Sequence, residues 1–212
     1  MDKLTELIIS NVIGLVVGLA TSFFSWWVLF HRVVPVIEFA GFISKIPKRA
    51  GTGHSYRVKF KNTGRRAIVG VEVFARLVID WEGNKNWSAV YIPLSRDGDR
   101  KVDMPKIGKG FSRVLTFYPN LVEAFTANPR YPEAFRQKAK ANNLTMEDVL
   151  SLGKETKLRV YVSGYDEFSG SRKVFESAFL YAKDIKDGWF KGVALTDKPS
   201  SQPESENGNH VV

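Results

Sequence analysis

The chain has 212 residues, contains no cysteine and carries a formal net charge of +9. The missing cysteine excludes disulfide bridges and a cysteine nucleophile, and it agrees with a reducing compartment. Because residues 1–30 carry −1 and residues 197–212 carry −2, the segment between them carries +12, a charge that suits either an anionic partner or a solvated basic surface.

An apolar run of twenty-four residues without a charge, 7–30, lies near the start of the chain. As a helix it is about 36 Å long, enough to cross a bilayer core of about 30 Å with some tilt. The run is longer than the roughly 7 to 15 residues of a signal-peptide core, and only Lys3 precedes it against Asp2 and Glu6. We therefore expect an uncleaved transmembrane helix within residues 1–32.

The far end of this run has the residue types of a membrane interface, with Trp26 and Trp27 followed by Arg32. Basic residues are more frequent after the run than before it: Arg32, Lys45, Lys48 and Arg49 follow, and Lys3 precedes. The positive-inside rule then predicts a single-pass protein of the inner or plasma membrane with a cytoplasmic C-terminal domain.

Small residues recur every fourth position of the run, at Ser10, Gly14, Gly18 and Ser22, and Asn11 borders them. On a helix these residues form a strip with little side-chain bulk, which allows two helices to approach closely in lipid. The strip predicts a homo-oligomer through this face, with a pore as a further possibility. The alternative is the ordinary abundance of Gly and Ser in membrane helices.

The segment 33–196 is predicted to be one β domain, and the polar tail 197–212 is predicted to be disordered. Apolar and basic residues alternate around Val58, which is the pattern of a half-buried strand. Seven strands are expected, near 36–43, 56–60, 69–79, 88–94, 111–118, 157–165 and 172–181. Short turns without strand–helix alternation favour a mainly β fold, an antiparallel sandwich.

A short helical insertion is predicted at residues 130–153, between the fifth and sixth strands. Pro132 fits the first position of one helix, and Thr145 with Asp148 fits the start of a second, which Gly153 ends. Such an insertion either carries function or covers an open end of the sandwich.

Two stretches, "RVKFKNTGRRAIVGVEVFARLVI" (57–79) and "MPKIGKGFSRVLTFY" (104–118), resemble the adhesion-type immunoglobulin-like domains of bacteria. The shared pattern is a strand that ends in Asn-Thr-Gly, an alternating apolar strand, and a later Lys-Gly turn. The resemblance implies an immunoglobulin-like sandwich that serves as an interaction module, with no particular ligand. In layout the chain is also similar to the nucleotide-sensing membrane effectors of bacterial anti-phage systems.

No constellation of catalytic residues is evident in the sequence. The three histidines are far apart and have no partner at the spacing of a metal site or a catalytic triad. We interpret Asp97, Asp99 and Asp103 as charged residues of a hairpin tip, and Asp166 with Glu167 as part of another turn. We therefore predict no catalytic residue, no metal and no cofactor.

Basic residues are the remaining candidates for binding. The candidate contacts to an anionic ligand or to lipid are Lys45, Lys48, Arg49, Arg65, Arg66, Arg136, Lys138 and Lys140. Anionic lipid, a phosphorylated small ligand or nucleic acid would each suit this charge, and a merely solvated basic surface is the alternative. Sequence-specific DNA reading is not expected, because no recognition helix is evident.

These observations favour a membrane-anchored binding module that tethers a protein partner or an anionic ligand, and not an enzyme. One alternative is a membrane effector that oligomerises when a ligand binds. Another is an adhesion or scaffold protein of the envelope with the domain outside the cell. A hydrolase of phosphate esters is the last alternative, since it needs a metal site that the sequence does not suggest.

Overall fold

A long apolar helix, α1 (Lys3–His31), begins the described part of the chain. Its segment Thr5–Leu29 has a mean hydropathy of 2.1, and none of that apolar window is buried against the rest of the protein. The helix is therefore long and apolar enough to cross a membrane, as the sequence predicts.

The computed structural model describes residues 3–31, 33–48, 53–81, 87–192 and 194–196. Arg32, Arg49 and the tail 197–212, for which the sequence gives predictions, lie outside the described residues. After α1 the described chain is mainly β, with two sheets of five strands each and a small hairpin. The prediction of a mainly β fold behind an apolar helix is confirmed.

The first sheet has the order β7–β3–β1/β2–β10, in which β1 and β2 occupy one edge of β3 end to end. Its strands are β1 (Ile37–Phe39), β2 (Ile43–Pro47), β3 (His54–Asn62), β7 (Ser112–Phe117) and β10 (Ile185–Asp187). The predicted strand 36–43 is thus divided at Gly41, a residue that weakens a strand.

The second sheet has the order β5/β6–β4–β8–β9. Its strands are β4 (Ile68–Asp80), β5 (Trp87–Ile92), β6 (Lys101–Ile107), β8 (Glu155–Asp166) and β9 (Arg172–Glu176). Alternate residues of β4, from Val71 to Ile79, are almost completely buried, in agreement with the period of two. The small hairpin pairs β11 (Trp189–Lys191) with β12 (Ala194–Thr196).

The interpretation of Asp103 as part of a hairpin tip is wrong. It lies within β6, opposite Glu72 of β4, and β5 and β6 follow each other along one edge of β4. The sequence hides β6 because its inward residues are only half-buried and Pro105 interrupts the pattern, as edge strands tolerate. Strands β10 to β12 were not predicted either, since three residues are too few to show a period.

The helical insertion connects β7 to β8 and begins earlier than predicted. It contains a short 3-10 helix (Pro119–Leu121), α2 (Ala124–Ala127), α3 (Glu133–Lys140) and α4 (Met146–Leu150). Pro132 is the N-cap of α3 and not its first residue. The predicted start of α4 is confirmed, because Thr145 and Asp148 form a reciprocal capping box.

Both sheets and the insertion contribute to one hydrophobic core. We call the end of the sheets next to α1 the proximal end, which the turns 63–67, 108–111 and 167–171 close. We call the opposite end the distal end, where the insertion covers the core. The thirteen residues of β4 extend from one end to the other, about 40 Å.

Candidate functional site: the junction of helix and sheets

The linker that follows α1 is held to the β3–β4 turn by backbone hydrogen bonds. The carbonyl of Val36 accepts from the N–H groups of Thr63 (2.9 Å) and Gly64 (3.2 Å), and the carbonyl of Val34 accepts from Arg65 (3.2 Å). The linker is therefore fixed to the sheets by main-chain atoms and not only by side-chain packing.

Gly64 is the residue that permits this approach. A Cβ atom there would lie 2.6 Å from the carbonyl oxygen of Val34 and 2.7 Å from the carbonyl carbon of Pro35, and still closer to the nitrogen of Val36. All three are backbone atoms, which cannot move aside as the end of a flexible side chain would. The junction thus requires a residue without a side chain at this position.

Asn62, the residue two positions earlier, organises the turn from inside. Its side chain is completely buried, and its amide nitrogen donates to the carbonyls of Arg66 (2.9 Å) and Ile107 (3.2 Å). Its amide oxygen accepts from the N–H of Gly64 at 3.0 Å. This Asx-type arrangement joins two proximal turns, so the Asn-Thr-Gly sequence does more than reverse the chain.

Arg66 connects the helix to the second sheet. Its guanidinium donates to the carbonyl of Leu29 and to the carboxylate of Asp166 at 3.3 Å, and it lies 4.1 Å from the centre of the Phe168 ring. Leu29 is within the last turn of α1, where carbonyls have no partner inside the helix. One side chain therefore ties the end of the apolar span to the β8–β9 turn.

Asp166 is the anionic partner in this contact, and its side chain is 2% exposed. Burial alone would raise the pKa of this carboxyl. The N–H of Phe168 (3.0 Å), the hydroxyl of Ser169 and the Arg66 charge outweigh burial, and they hold its pKa below the ordinary value of 3.8. The group is therefore ionised at neutral pH and completes a buried ion pair.

A second polar cluster lies at the distal end, where α4 meets the first sheet. Glu147 of α4 accepts from the ammonium of Lys45 at 2.7 Å and from the hydroxyl of Tyr56. Burial tends to raise the pKa of Glu147, but these two donors lower it below 4.5. Burial, together with the Glu147 contact, raises the pKa of Tyr56, so both donors keep their protons at neutral pH.

The structure disperses the basic residues that the sequence grouped as candidate contacts. Arg65 and Arg66 are proximal, whereas Lys45 is bound to Glu147 on the distal side. Lys48 is exposed and follows β2 at the end of the first sheet that lies away from the helix.

The basic residues of the insertion are also separate from the proximal ones. Arg136 pairs with Glu133, Lys138 pairs with Asp148 at 2.6 Å, and Lys140 is exposed. Their contact with lipid or phosphate stays a prediction.

The small-residue strip of α1 is exposed along its length in the single chain. A Cβ atom at Gly14 or Gly18 would meet nothing within 4 Å. Near the other end of the helix, Trp26 and Trp27 pack against Phe23 and Phe24, with ring centres 5.8 and 6.4 Å apart. Oligomerisation through the strip stays a prediction.

Sequence reasoning named Arg66 but missed the role of Asn62, Asp166 and Phe168. Asp166 lies on the same face of β8 as the buried residues Leu158, Val160 and Val162, so the alternation along this strand predicts that Asp166 is buried. A carboxylate on a buried face needs a cationic partner. Within the described residues, no group of three or more His, Asp or Glu side chains is arranged to hold a metal ion.

No family model matches the chain, and no curated protein sequence matches it. Among solved structures, the chain is similar to the sporulation control protein Spo0M from Bacillus subtilis, with a TM-score of 0.30 and 10% identity. The match covers 72% of this chain and 49% of that one, so the chain spans about half the length of Spo0M's structure.

Proposed function

We propose that the chain is a single-pass membrane protein whose cytoplasmic β domain is a non-enzymatic binding module held at the bilayer surface. The observation that supports this most strongly is the exposure of α1. Apolar side chains such as Leu7 (63% exposed) and Phe23 (66% exposed) find no cover in the rest of the described chain. Lipid is the environment that accepts such a helix.

The finer fold that we propose for the domain is immunoglobulin-like. The order β7–β3–β1/β2 corresponds to strands E, B and A of that fold, and β5/β6–β4–β8–β9 corresponds to strands C′, C, F and G. Such domains bind partners through their surfaces and loops. The insertion between the E-like and F-like strands enlarges the distal surface, which faces away from the membrane helix.

The junction supports tethering with a fixed orientation. A flexible linker would let the domain rotate freely, whereas the Val34 and Val36 carbonyls and the Arg66 contact to Leu29 tie the two parts together. A partner bound to the distal surface would then be held at a set distance from the bilayer, about the 40 Å length of β4.

Two measurements test this proposal. Alkaline carbonate extraction should leave the full chain in the membrane pellet, and its release into the supernatant would contradict the anchor. Because the chain has no cysteine, single variants report topology cleanly. An impermeant maleimide should label Asp97→Cys, an exposed position in the connection between β5 and β6, only after the cells are permeabilised.

The matched control is Lys3→Cys, on the other side of the span. It should react in intact cells, since the same topology places the N-terminus outside. The opposite labelling of the two sites would exclude the cytoplasmic orientation and support the envelope adhesion or scaffold alternative.

A second candidate function is an effector that clusters its helices and perturbs the bilayer when the domain binds a ligand. The open space around Gly14 and Gly18 favours it, because a second helix can approach there without a clash.

The double variant Gly14→Leu and Gly18→Leu should lose both cross-linked oligomers and any leakage of dye from vesicles. Val16→Leu adds bulk to the opposite face and should change neither. Unchanged leakage in the glycine variant would exclude the effector.

A further inference from the structure

We propose that the proximal end of the β domain is itself a membrane-binding surface, with Phe168 inserted among lipid headgroups beside α1. This inference rests on the proposed membrane anchor and adds a second, peripheral attachment to it. We call residues 63–67, 106–111 and 165–172 the proximal surface.

The depth of Phe168 follows from its contacts. Its ring centre is 4.1 Å from the guanidinium carbon of Arg66, and that guanidinium donates directly to the carbonyl of Leu29. Leu29 is the last residue of the apolar span. The headgroup region on each side of a bilayer core is about 5 to 7 Å thick. When α1 crosses the bilayer, the ring therefore lies at the depth of the headgroups.

The side chains at this depth suit an interface between water and lipid. Phe168 is 59% exposed, and Val36 of the linker is 44% exposed, so both present apolar area where the bilayer begins. Trp26 and Trp27 lie three and two residues before Leu29, within one helical turn, and present indole rings at a similar level. Aromatic side chains at this level are typical of proteins that rest in a membrane interface.

The charge of the proximal surface is complementary to anionic lipid. Its basic residues are Arg65, Arg66, Lys106, Lys109 and Arg172, and its acidic residues are Asp166 and Glu167. Both acidic residues are paired within the protein, with Arg66 and Lys106 respectively. Arg65, Lys109 and Arg172 are exposed, so their charges remain available to lipid headgroups. This attraction falls off within a Debye length of about 8 Å. Arg66, which donates to Leu29, lies within that distance of the headgroups when α1 crosses the bilayer.

The three proximal turns form one connected surface and not three separate loops. The N–H of Gly110 donates to the carbonyl of Asn62 at 2.8 Å, and the N–H of Glu167 donates to Ala67 at 3.2 Å. A rigid surface loses little conformational entropy when it meets the bilayer. The occupant is therefore the anionic leaflet that α1 crosses.

The test uses the full chain in vesicles that contain phosphatidylserine, with a nitroxide label at one introduced cysteine. Phe168→Cys reports the proximal surface, and Trp87→Cys, 57% exposed at the distal end of β5, is the matched control. We expect the label at 168 to be poorly accessible to an aqueous nickel complex and well accessible to oxygen, and the label at 87 to show the reverse. Ser171→Cys, which keeps the Phe168 ring, should show the same loss of nickel accessibility in weaker form.

A label at Val16→Cys, in the middle of α1, separates the two proposals. If it is embedded in lipid while the labels at 168 and 171 are as aqueous as the label at 87, the inference is overturned and the anchor stands. If the label at 16 is aqueous too, the proposed membrane anchor fails as well. In the Arg65→Ser and Lys109→Ser double variant, or in vesicles of phosphatidylcholine alone, nickel accessibility at 168 should increase; no increase in either would overturn the assignment to anionic lipid.

Discussion

The two ends of the β domain are closed by different means. At the proximal end, short turns meet the linker through main-chain hydrogen bonds, a buried asparagine and one buried ion pair. At the distal end, helices place apolar side chains such as Phe125 and Met146 into the core. The polar contacts there, such as Lys45 with Glu147, are partly open to solvent.

This difference indicates where the molecule tolerates change. Backbone contacts at the proximal end depend on chain geometry, so a substitution that adds even one carbon atom can break them. The ionic side-chain contacts at the distal end are partly open to solvent, and each contributes little by itself.

The largest effect is expected from Arg66→Ala. It leaves the carboxylate of Asp166 buried without its cation and the carbonyl of Leu29 without its donor, and should reduce the free energy of unfolding by about 3 to 5 kcal/mol. Chemical unfolding of the full chain in detergent micelles, followed by tryptophan fluorescence, measures this loss.

Two companion variants separate charge from geometry at the same site. Arg66→Lys keeps the charge but not the planar fork, so its loss should lie between those of the wild type and Arg66→Ala. Asp166→Asn in the Arg66→Ala background should recover part of the stability, because the unpaired charge is then gone. A loss below about 1 kcal/mol for Arg66→Ala, typical of a surface pair, would contradict a buried junction.

The second test adds one methyl group to the linker contact. Gly64→Ala should displace the linker and remove up to three backbone hydrogen bonds, worth about 1 kcal/mol each and about 3 kcal/mol together. The displaced linker should also be cut faster by an added protease. Gly108→Ala is the matched control in the neighbouring proximal turn, because a Cβ atom there meets nothing within 4 Å. Equal stability of the two variants would show that the linker is not held as described.

The third test concerns the distal cluster and its dependence on pH. Glu147→Gln weakens two hydrogen bonds to an ionised group, and should cost about 1.5 kcal/mol at pH 7, near the low end for such bonds because the side chain is 37% exposed. The pKa of Glu147 in the folded protein lies below 4.5, its ordinary value. The stability that the ionised Glu147 side chain contributes is therefore fully present above pH 4.5, and it is lost as the pH falls through the pKa of the folded protein. The stability difference between wild type and variant should therefore shrink in acid. A difference that grows on acidification would contradict the lowered pKa.

The sequence predicts much of the fold because its patterns are local. The period of β4, the length of the apolar helix and the Thr145 capping box each depend on residues near one another. Edge strands such as β6 escape, because one partner strand and partial burial leave a weak alternation.

The candidate site was harder to predict, because it joins residues that are distant in sequence. Leu29, Arg66 and Asp166 meet only when β4 and β8 pair in register. The sequence groups Lys45 with Lys48 as candidate contacts to lipid or an anionic ligand, and both follow the helix closely along the chain. The strand β2 carries them along the first sheet to its distal end, so closeness in sequence does not give closeness to α1.

The smallest effect is expected from Lys138→Ala on α3. Its ammonium lies 2.6 Å from Asp148, but the Lys138 side chain is 54% exposed, so the pair should contribute no more than about 0.5 kcal/mol. The Thr145 cap should hold Asp148 in place without it, since both its side-chain contacts to Thr145 remain. Thermal unfolding at low and high salt measures the difference, which should disappear as salt screens the pair. A loss comparable to that of Gly64→Ala would mean that the distal insertion depends on single ionic contacts as strongly as the proximal junction depends on its backbone. The contrast between the two ends would then be wrong.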